Sequence, residues 1–190
     1  MNNETRQLIQ QAQAGNVQAF HDLVALYDGK IMSLALQLTK NQMDAEDLYQ
    51  EVFLKAYTRI NQFRFESEFY TWLYRITVNT ALNLKRKLSN IQLRNTDPDF
   101  PEDYQEWLSE QSFVADQSGE IILAVKKATL ALPAKQRVVF LLKHMQNLKI
   151  REIAAIMGIT EGTVKRYLFR ALEKLRKELK EFRYVIGENS

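Results

Sequence analysis

The chain contains no cysteine in 190 residues. That excludes a disulfide framework, a thiolate zinc site and a cysteine nucleophile, and it suits a reducing compartment. Histidine is nearly absent too. His21 and His144 stand alone, with no ligand-spaced Asp, Glu or Cys set around either, so no metal and no cofactor is expected. No apolar run approaches the roughly eighteen residues of a membrane span, and the amino-terminal MNNETRQLIQQ is polar from its first positions. A soluble, cytoplasmic protein without direct membrane insertion is the expectation. Also missing is any sustained alternation of apolar and polar residues, which argues against half-buried strands. No internal repeat, low-complexity tract or Gly-rich phosphate loop occurs.

What is present is helical periodicity, on an apolar content of 46%, ample for a folded core. The predicted fold is all-α, with helices over about residues 4–14, 17–39, 44–60, 67–88, 119–131, 134–146, 149–157 and 161–183. Gly15-Asn16 and Asn61-Gln62 punctuate the first half, and Pro133 sits where a first-turn proline is tolerated. Two small helical domains are expected, residues 1–94 and 121–190. Between them, residues 95–120 shift to Asp, Glu, Ser and Gln with Pro98 and Pro101, the composition of a linker. This linker also holds Phe100, Tyr104, Trp107, Leu108 and Phe113, which an inert spacer does not need.

The net charge of +3 conceals a strong asymmetry. Residues 1–94 carry 11 Lys/Arg against 9 Asp/Glu, residues 95–120 none against 8, and residues 121–190 carry 15 against 6. A carboxyl-terminal third with a balance of +9 fits a phosphate-binding module, because each neutralised phosphate releases counterions.

Within that third, residues 149–170 read KIREIAAIMGITEGTVKRYLFR. Ile150, Ile153, Ala154 and Met157 recur at helical spacing, Gly158 offers the positive φ that ends a helix, and Thr160 can cap the next. Val164 and Leu168 give the second helix an inward face, and the small Ala154 allows a close crossing. Thr163, Lys165, Arg166 and Arg170 lie off the inward face, where they can reach base edges or phosphates of a major groove. The pattern is a helix-turn-helix.

Two segments of the first half carry further chemistry. Residues 44–57, DAEDLYQEVFLKAY, form an apolar stripe of Leu48, Tyr49, Val52, Phe53 and Ala56, leaving Asp44, Asp47, Gln50, Glu51 and Lys55 elsewhere. By spacing alone this is an amphipathic helix with acids well placed near its positive end. Its carboxylates have no nucleophile or histidine partner that would make them catalytic. Residues 63–74, FRFESEFYTWLY, hold six aromatics in twelve positions. Phe69, Leu73, Ile76, Thr80 and Leu84 trace a buried helical face. Phe63 and Phe65 fall in a loop beside Arg64, and Tyr70, Trp72 and Tyr74 do not all share the buried face. Rings among cations suit either a core or the capture of unpaired bases, with Asn79 and Thr80 available to read a base edge.

Taken in order, DAEDLYQEVFLKAY, INQFRFESEFYTWLYRITVNTALN and LPAKQRVVFLLKHMQNLKIREIAAIMGITEGTVKRYLFRALEKLR resemble an extracytoplasmic-function sigma factor of bacterial RNA polymerase, of the sigma-E type. The helix-turn-helix alone is also similar to that of LuxR-type regulators, which normally precede it with a receiver or ligand domain. The resemblance implies a sigma factor, not an enzyme, that binds core RNA polymerase and selects promoters. It implies that Asp44, Asp47, Leu48, Gln50, Glu51 and Phe53 contact the clamp helices of the β′ subunit. It assigns the melted minus-10 strand to Phe63, Arg64, Phe65, Tyr70, Trp72 and Asn79, and the minus-35 duplex to Thr160, Glu161, Thr163, Lys165, Arg166 and Arg170. It also implies an anti-sigma factor as a partner, often anchored at the inner membrane, and a linker threading the polymerase channels. Two departures from the usual pattern are Phe65, where many members carry a small residue, and Tyr49, at a commonly aliphatic position. Other readings of the same residues are a dimeric operator-binding factor, an enzyme using the carboxylates near Asp47 and Glu51, and an RNA-binding protein using the aromatic face.

Overall fold

A computed structural model describes residues 1–39, 41–92 and 117–180, with side chains left out at 85–92 and 117–122. Among the described residues all regular structure is helical: α1 (Asn3–Gln13), α2 (Val17–Leu38), α3 (Gln42–Arg59), a 3-10 turn (Ile60–Gln62), α4 (Phe69–Gln92), α5 (Gln117–Leu130), α6 (Ala134–His144), α7 (Ile150–Met157) and α8 (Glu161–Glu178). They gather into two compact units, one centred on α1 to α4 and the other on α5, α6 and α8. Most of the expected linker, residues 95–116, lies outside the described residues; its last positions, 117–120, are already the first turn of α5.

Local sequence explains where the helices start. Asn2, Asn16 and Asn41 each accept a hydrogen bond from the backbone N–H three residues on, at 2.8, 3.1 and 2.7 Å, satisfying donors that a helix leaves unpaired at its first turn. Between α1 and α2 the chain turns on Gly15 at φ +92. There the Gly15 and Asn16 N–H groups donate to Ala12 and Gln11 carbonyls at 3.0 Å, a paired closure of the helix end. Asn16 thus closes one helix and opens the next. Pro133 is the N-cap of α6, the residue just before its first helical position, where its missing N–H costs the helix no hydrogen bond.

In the first unit, α2 packs on α1, α3 and α4, and α3 packs on α4. Its centre is Ile9, Leu23, Ile31, Leu34, Leu48, Val52, Phe69, Leu73 and Val78, all essentially without exposure. In the second unit α8 packs on α6 and α5, over Val138, Val139, Leu142, Val164, Ala171 and Leu175. Each apolar stripe is turned inward because removing it from water is the dominant favourable term in folding.

The turn of the helix-turn-helix is built at Gly158, whose φ is +63. The Ile159 N–H reaches back to the Ala154 carbonyl at 3.1 Å, closing α7. Thr160 then accepts from the Thr163 N–H at 3.2 Å and opens α8. A Cβ at Gly158 meets nothing within 4 Å, so the cost of adding one is conformational alone. Gly158→Ala is expected to destabilise the protein by about 1–2 kcal/mol, the penalty of left-handed backbone for an L-residue. Chemical denaturation followed by helical circular dichroism measures it; an unchanged midpoint would contradict the left-handed turn.

Candidate polymerase and nucleic-acid interfaces

The loop after α3 is positioned by a side chain that sequence reasoning passed over. The Gln13 carboxamide on α1 donates both its hydrogens, to the carbonyls of Ile60 and Phe63, each at 2.9 Å. The backbone that enters the aromatic segment is thereby tied to the first helix. Nothing in the spacing of Gln13 marks it, since the pairing spans 47 and 50 residues.

On this tether sits a pile of rings. Phe63 lies 5.3 Å from Phe69 with the planes nearly perpendicular, and 5.5 Å from Trp72. Phe69 lies 5.4 Å from Trp72 and from Tyr27. These are the offset and edge-on arrangements that aromatic quadrupoles favour. Phe63 is 4% exposed, so it forms the base of the pile and offers no free face. Arg64 is exposed, Phe65 and Trp72 are half-buried, Tyr70 is half-buried and Asn79 is exposed. Tyr74 is buried, its ring 5.9 Å from Tyr70, so the inward face of α4 is wider than its periodicity suggests. Thr80 is also buried, and its hydroxyl accepts from Lys55 at 3.1 Å rather than pointing to a free pocket. The expected face of Phe69, Leu73, Ile76 and Thr80 is buried, and Leu84 is half-buried.

Phe65 has a φ of +60, a conformation that glycine adopts freely and a bulky residue rarely does. Holding it there costs about 1–3 kcal/mol. Two contacts accompany the strain: the Phe63 ring lies 5.1 Å from the Phe65 ring, and the Arg6 guanidinium 5.0 Å from its centroid.

On α3 the acidic and apolar residues separate cleanly. Leu48 has no exposure and Phe53 is 9% exposed; both pack inside the unit and support the helix without presenting a side chain to a partner. Asp44, Asp47 and Gln50 are exposed. Glu51 is half-buried and pairs with Lys55 at 2.5 Å, one turn away. Sequence reasoning missed three neighbours: Met43, Leu54 and Tyr57 are 75%, 64% and 46% exposed. With Asp47 and Gln50 they make a stripe at 43, 47, 50, 54 and 57, alternating four and three residues apart, the seam spacing by which one helix lies along another. The signal was available in that spacing, hidden because the apolar count of α3 is dominated by its inward side. Tyr49 turns sideways, its hydroxyl donating to Asp28 at 2.7 Å and its ring 4.9 Å from Phe53.

On α8 the residues expected to face DNA share the side away from the core. Thr160, Glu161, Lys165, Arg166 and Arg170 are exposed, and Thr163 is half-buried beneath the Thr160 hydroxyl at 3.0 Å. Val164, Ala171 and Leu175 form the inward face, with Leu168 at its margin. Ile153, Ala154 and Ile156 anchor α7, and the Glu152 carboxylate accepts from the Lys149 N–H at 2.7 Å, capping that helix. Phe169 is 64% exposed among these cations and was overlooked; its position opposite Ala171 on the helical wheel marks it. Among the described residues no set of three or more His, Asp or Glu is arranged to hold a metal ion, and no helix is long and apolar enough to cross a membrane.

Two helical units, one with a ring-lined loop and one with a cation-bearing helix-turn-helix, define a promoter-recognising initiation factor. Residues 23–91 match the model of sigma-70 region 2, and residues 122–175 that of sigma-70 region 4. The chain is 35% identical over 186 residues to the ECF RNA polymerase sigma factor SigW of Bacillus subtilis, covering 91% of this chain and 95% of that one. It is 36% identical over 173 residues to the ECF RNA polymerase sigma-E factor of Escherichia coli, covering 88% and 90%. Among solved structures, the sigma factor RpoE of Bartonella quintana, crystallised with the anti-sigma factor NepR, superposes with a TM-score of 0.67 at 25% identity over 86% of this chain and 98% of that one. CnrH, solved with the cytosolic domain of CnrY, shares the fold with a TM-score of 0.68 at 23% identity, over 94% and 99%. The chain belongs to the extracytoplasmic-function sigma factors of RNA polymerase.

The aromatic unit carries an alkaline signature. Burial first, and then the neighbouring Tyr70, push the Tyr74 hydroxyl up to about 12; burial and Asp28 do the same for Tyr49. An unfolded tyrosine loses its proton near pH 10. Between these values unfolding releases a proton, so the stabilisation is whole below pH 10 and falls as the pH rises towards 12. Tyr74→Phe is expected to flatten the loss of stability above pH 10, read as the denaturant midpoint from pH 8 to 11. An equally steep loss in the variant would exclude Tyr74 as its source.

Proposed function

We propose that the two units divide promoter recognition, with residues 1–94 docking on core polymerase and holding the melted minus-10 strand and residues 121–190 gripping the minus-35 duplex. The acidic stretch 95–120 acts as the tether between them. The observation that carries this reading is the contrast between the two surfaces: half-exposed rings beside Arg64 in the first unit, and Lys165, Arg166, Phe169 and Arg170 on one exposed helix face in the second. Rings bind bases only when the bases are unpaired, whereas a cationic helix reads groove edges and phosphates of a duplex. Linking two modest affinities raises the effective concentration of the second site once the first is occupied.

The stripe of Met43, Asp47, Gln50, Leu54 and Tyr57 is the surface for the β′ clamp helices, with Asp44 and Glu51 at its margin. Opening the duplex is driven by the preference of the ring-lined loop for flipped-out bases, so the chain itself performs no catalysis and is not an enzyme. The protein works in the cytoplasm. Because the Bartonella relative was crystallised with an anti-sigma factor, an inhibitor of that class, free or anchored at the inner membrane, is the partner proposed for the inactive state.

Reconstitution with core polymerase followed by selection of transcribed promoters tests the whole reading. Failure of the chain to co-migrate with core enzyme, or tight and specific duplex binding by the chain alone with two-fold footprints, would replace it with an operator-binding factor.

Two substitutions separate the surfaces. Leu54→Asp, at a position whose side chain is mostly in water, is expected to weaken core-polymerase association by about 2 kcal/mol, roughly thirty-fold, with an unchanged melting temperature. A competition assay against labelled wild-type protein measures it, and equal competition removes the stripe from the interface. Arg166→Ala is expected to lower minus-35 binding and reduce the slope of log affinity against log salt by about one unit. A lowered affinity with an unaltered slope would assign Arg166 to something other than a phosphate.

A further inference from the structure

Phe65 keeps a glycine-like backbone without being glycine, and its ring is covered by a cation from a different helix. Both facts need a reason. The fold does not require a side chain there: the pile of Phe63, Phe69 and Trp72 is closed beneath it, and Phe65 is only half-buried. Arg6 sits on α1, exposed, and α1 is held to the loop by Gln13. The structure thus places an exposed guanidinium over a half-buried ring in the segment proposed above to capture single-stranded DNA.

We propose that Phe65 is a stacking platform for one unpaired minus-10 base, and that Arg6 is a removable cap on that platform which the base displaces. The proposal rests on the reading of this loop as the minus-10 site and adds the mode of contact and a second residue. Magnitudes favour the exchange. Stacking a base on an aromatic side chain is worth roughly 5- to 150-fold in affinity, whereas an exposed cation–π contact is worth roughly 2- to 5-fold. Until the strand is melted, the cap keeps an apolar face from water at little cost, since Arg6 leaves directly into solvent. Recognition by stacking tolerates any base, because every base has a π-face. Phe65 therefore adds hold on the melted strand rather than a hydrogen-bonded preference for one letter.

The test uses polymerase holoenzyme reconstituted with the full chain and a fluorescein-labelled single-stranded 12-mer. The 12-mer carries the non-template minus-10 sequence of a promoter selected with this holoenzyme, alongside versions with one abasic site stepped along it. Phe65→Gly relieves the backbone and removes the ring; Phe65→Leu keeps an apolar side chain at the same φ and removes only the π-face. Both are expected to bind the intact strand roughly 5- to 150-fold more weakly. Both should match wild type on the strand whose abasic site lies at the stacking position. Arg6→Ala is expected to bind the intact strand roughly 2- to 5-fold more tightly, because the platform is already bare. Melting temperatures within a degree or two of wild type confirm that Phe65→Leu and Arg6→Ala are folded.

Wild-type affinity in both Phe65 variants overturns the platform, as does a loss that persists undiminished on every abasic strand. Loss in Phe65→Gly but not in Phe65→Leu overturns stacking in favour of apolar packing. Weaker or unchanged binding by Arg6→Ala overturns the cap. Absence of strand binding by every holoenzyme, wild type included, defeats the minus-10 assignment itself and this proposal with it.

Discussion

One side chain, Gln13, ties the aromatic loop that follows α3 to the first helix. Its two donated hydrogen bonds go to the carbonyls of Ile60, which also accepts from the Phe63 N–H at 3.1 Å, and of Phe63, where the chain leaves the regular ladder of α3. That tie adds to the backbone closure of the 3-10 turn and to the packing of the rings. Beside it, Phe63 packs against Phe69 and Trp72, Arg64 is exposed, and Phe65 is half-buried against Phe63 and Arg6. A loop fixed at its entrance and packed at its base can carry a strained residue such as Phe65, because the surrounding contacts over-determine its backbone.

The second unit solves a different problem with the same materials. A helix that carries polar and cationic residues on its outer side must still keep its seat on the core. In α8 the inward face is reduced to Val164, Ala171 and Leu175, one small residue between two branched ones, while Lys165, Arg166, Phe169 and Arg170 occupy the outer side. Its position is set by the end of α7 as much as by packing: Gly158 makes the reversal and Thr160 starts the next helix within two residues. The first unit uses rings and an opened loop, the second a closed helix and charge. In the reading proposed above, these chemistries suit nucleic acid in two states, unpaired and paired.

Membership in the ECF sigma factors gives these surfaces a common purpose, but the particular residues depart from simple expectation in an instructive way. Leu48, Phe53 and Phe63 belong to the motifs that made the resemblance legible, yet all three are buried. They are the frame that orients contacts made by others. The exposed set on α3 instead includes Met43, Leu54 and Tyr57, residues that a reading based on acid count leaves aside. Thr80, a candidate reader of a base edge, is engaged by Lys55, which also pairs with Glu51. That chain of contacts braces α3 against α4, the helix that carries Phe69 and Trp72.

The sequence by itself determined the helical class, the breaks at Gly15-Asn16 and Gly158, the cap at Thr160, and the cationic face of α8. These depend on near neighbours, one to four residues apart, so periodicity and capping chemistry suffice to read them. Only the tertiary structure decided which of the six rings between 63 and 74 are core and which are surface, that Tyr74 turns inward, and that Gln13 and Arg6 on α1 reach the loop some fifty residues away. A ring's exposure depends on what other helices bring against it, and such long-range packing leaves no local pattern in the chain.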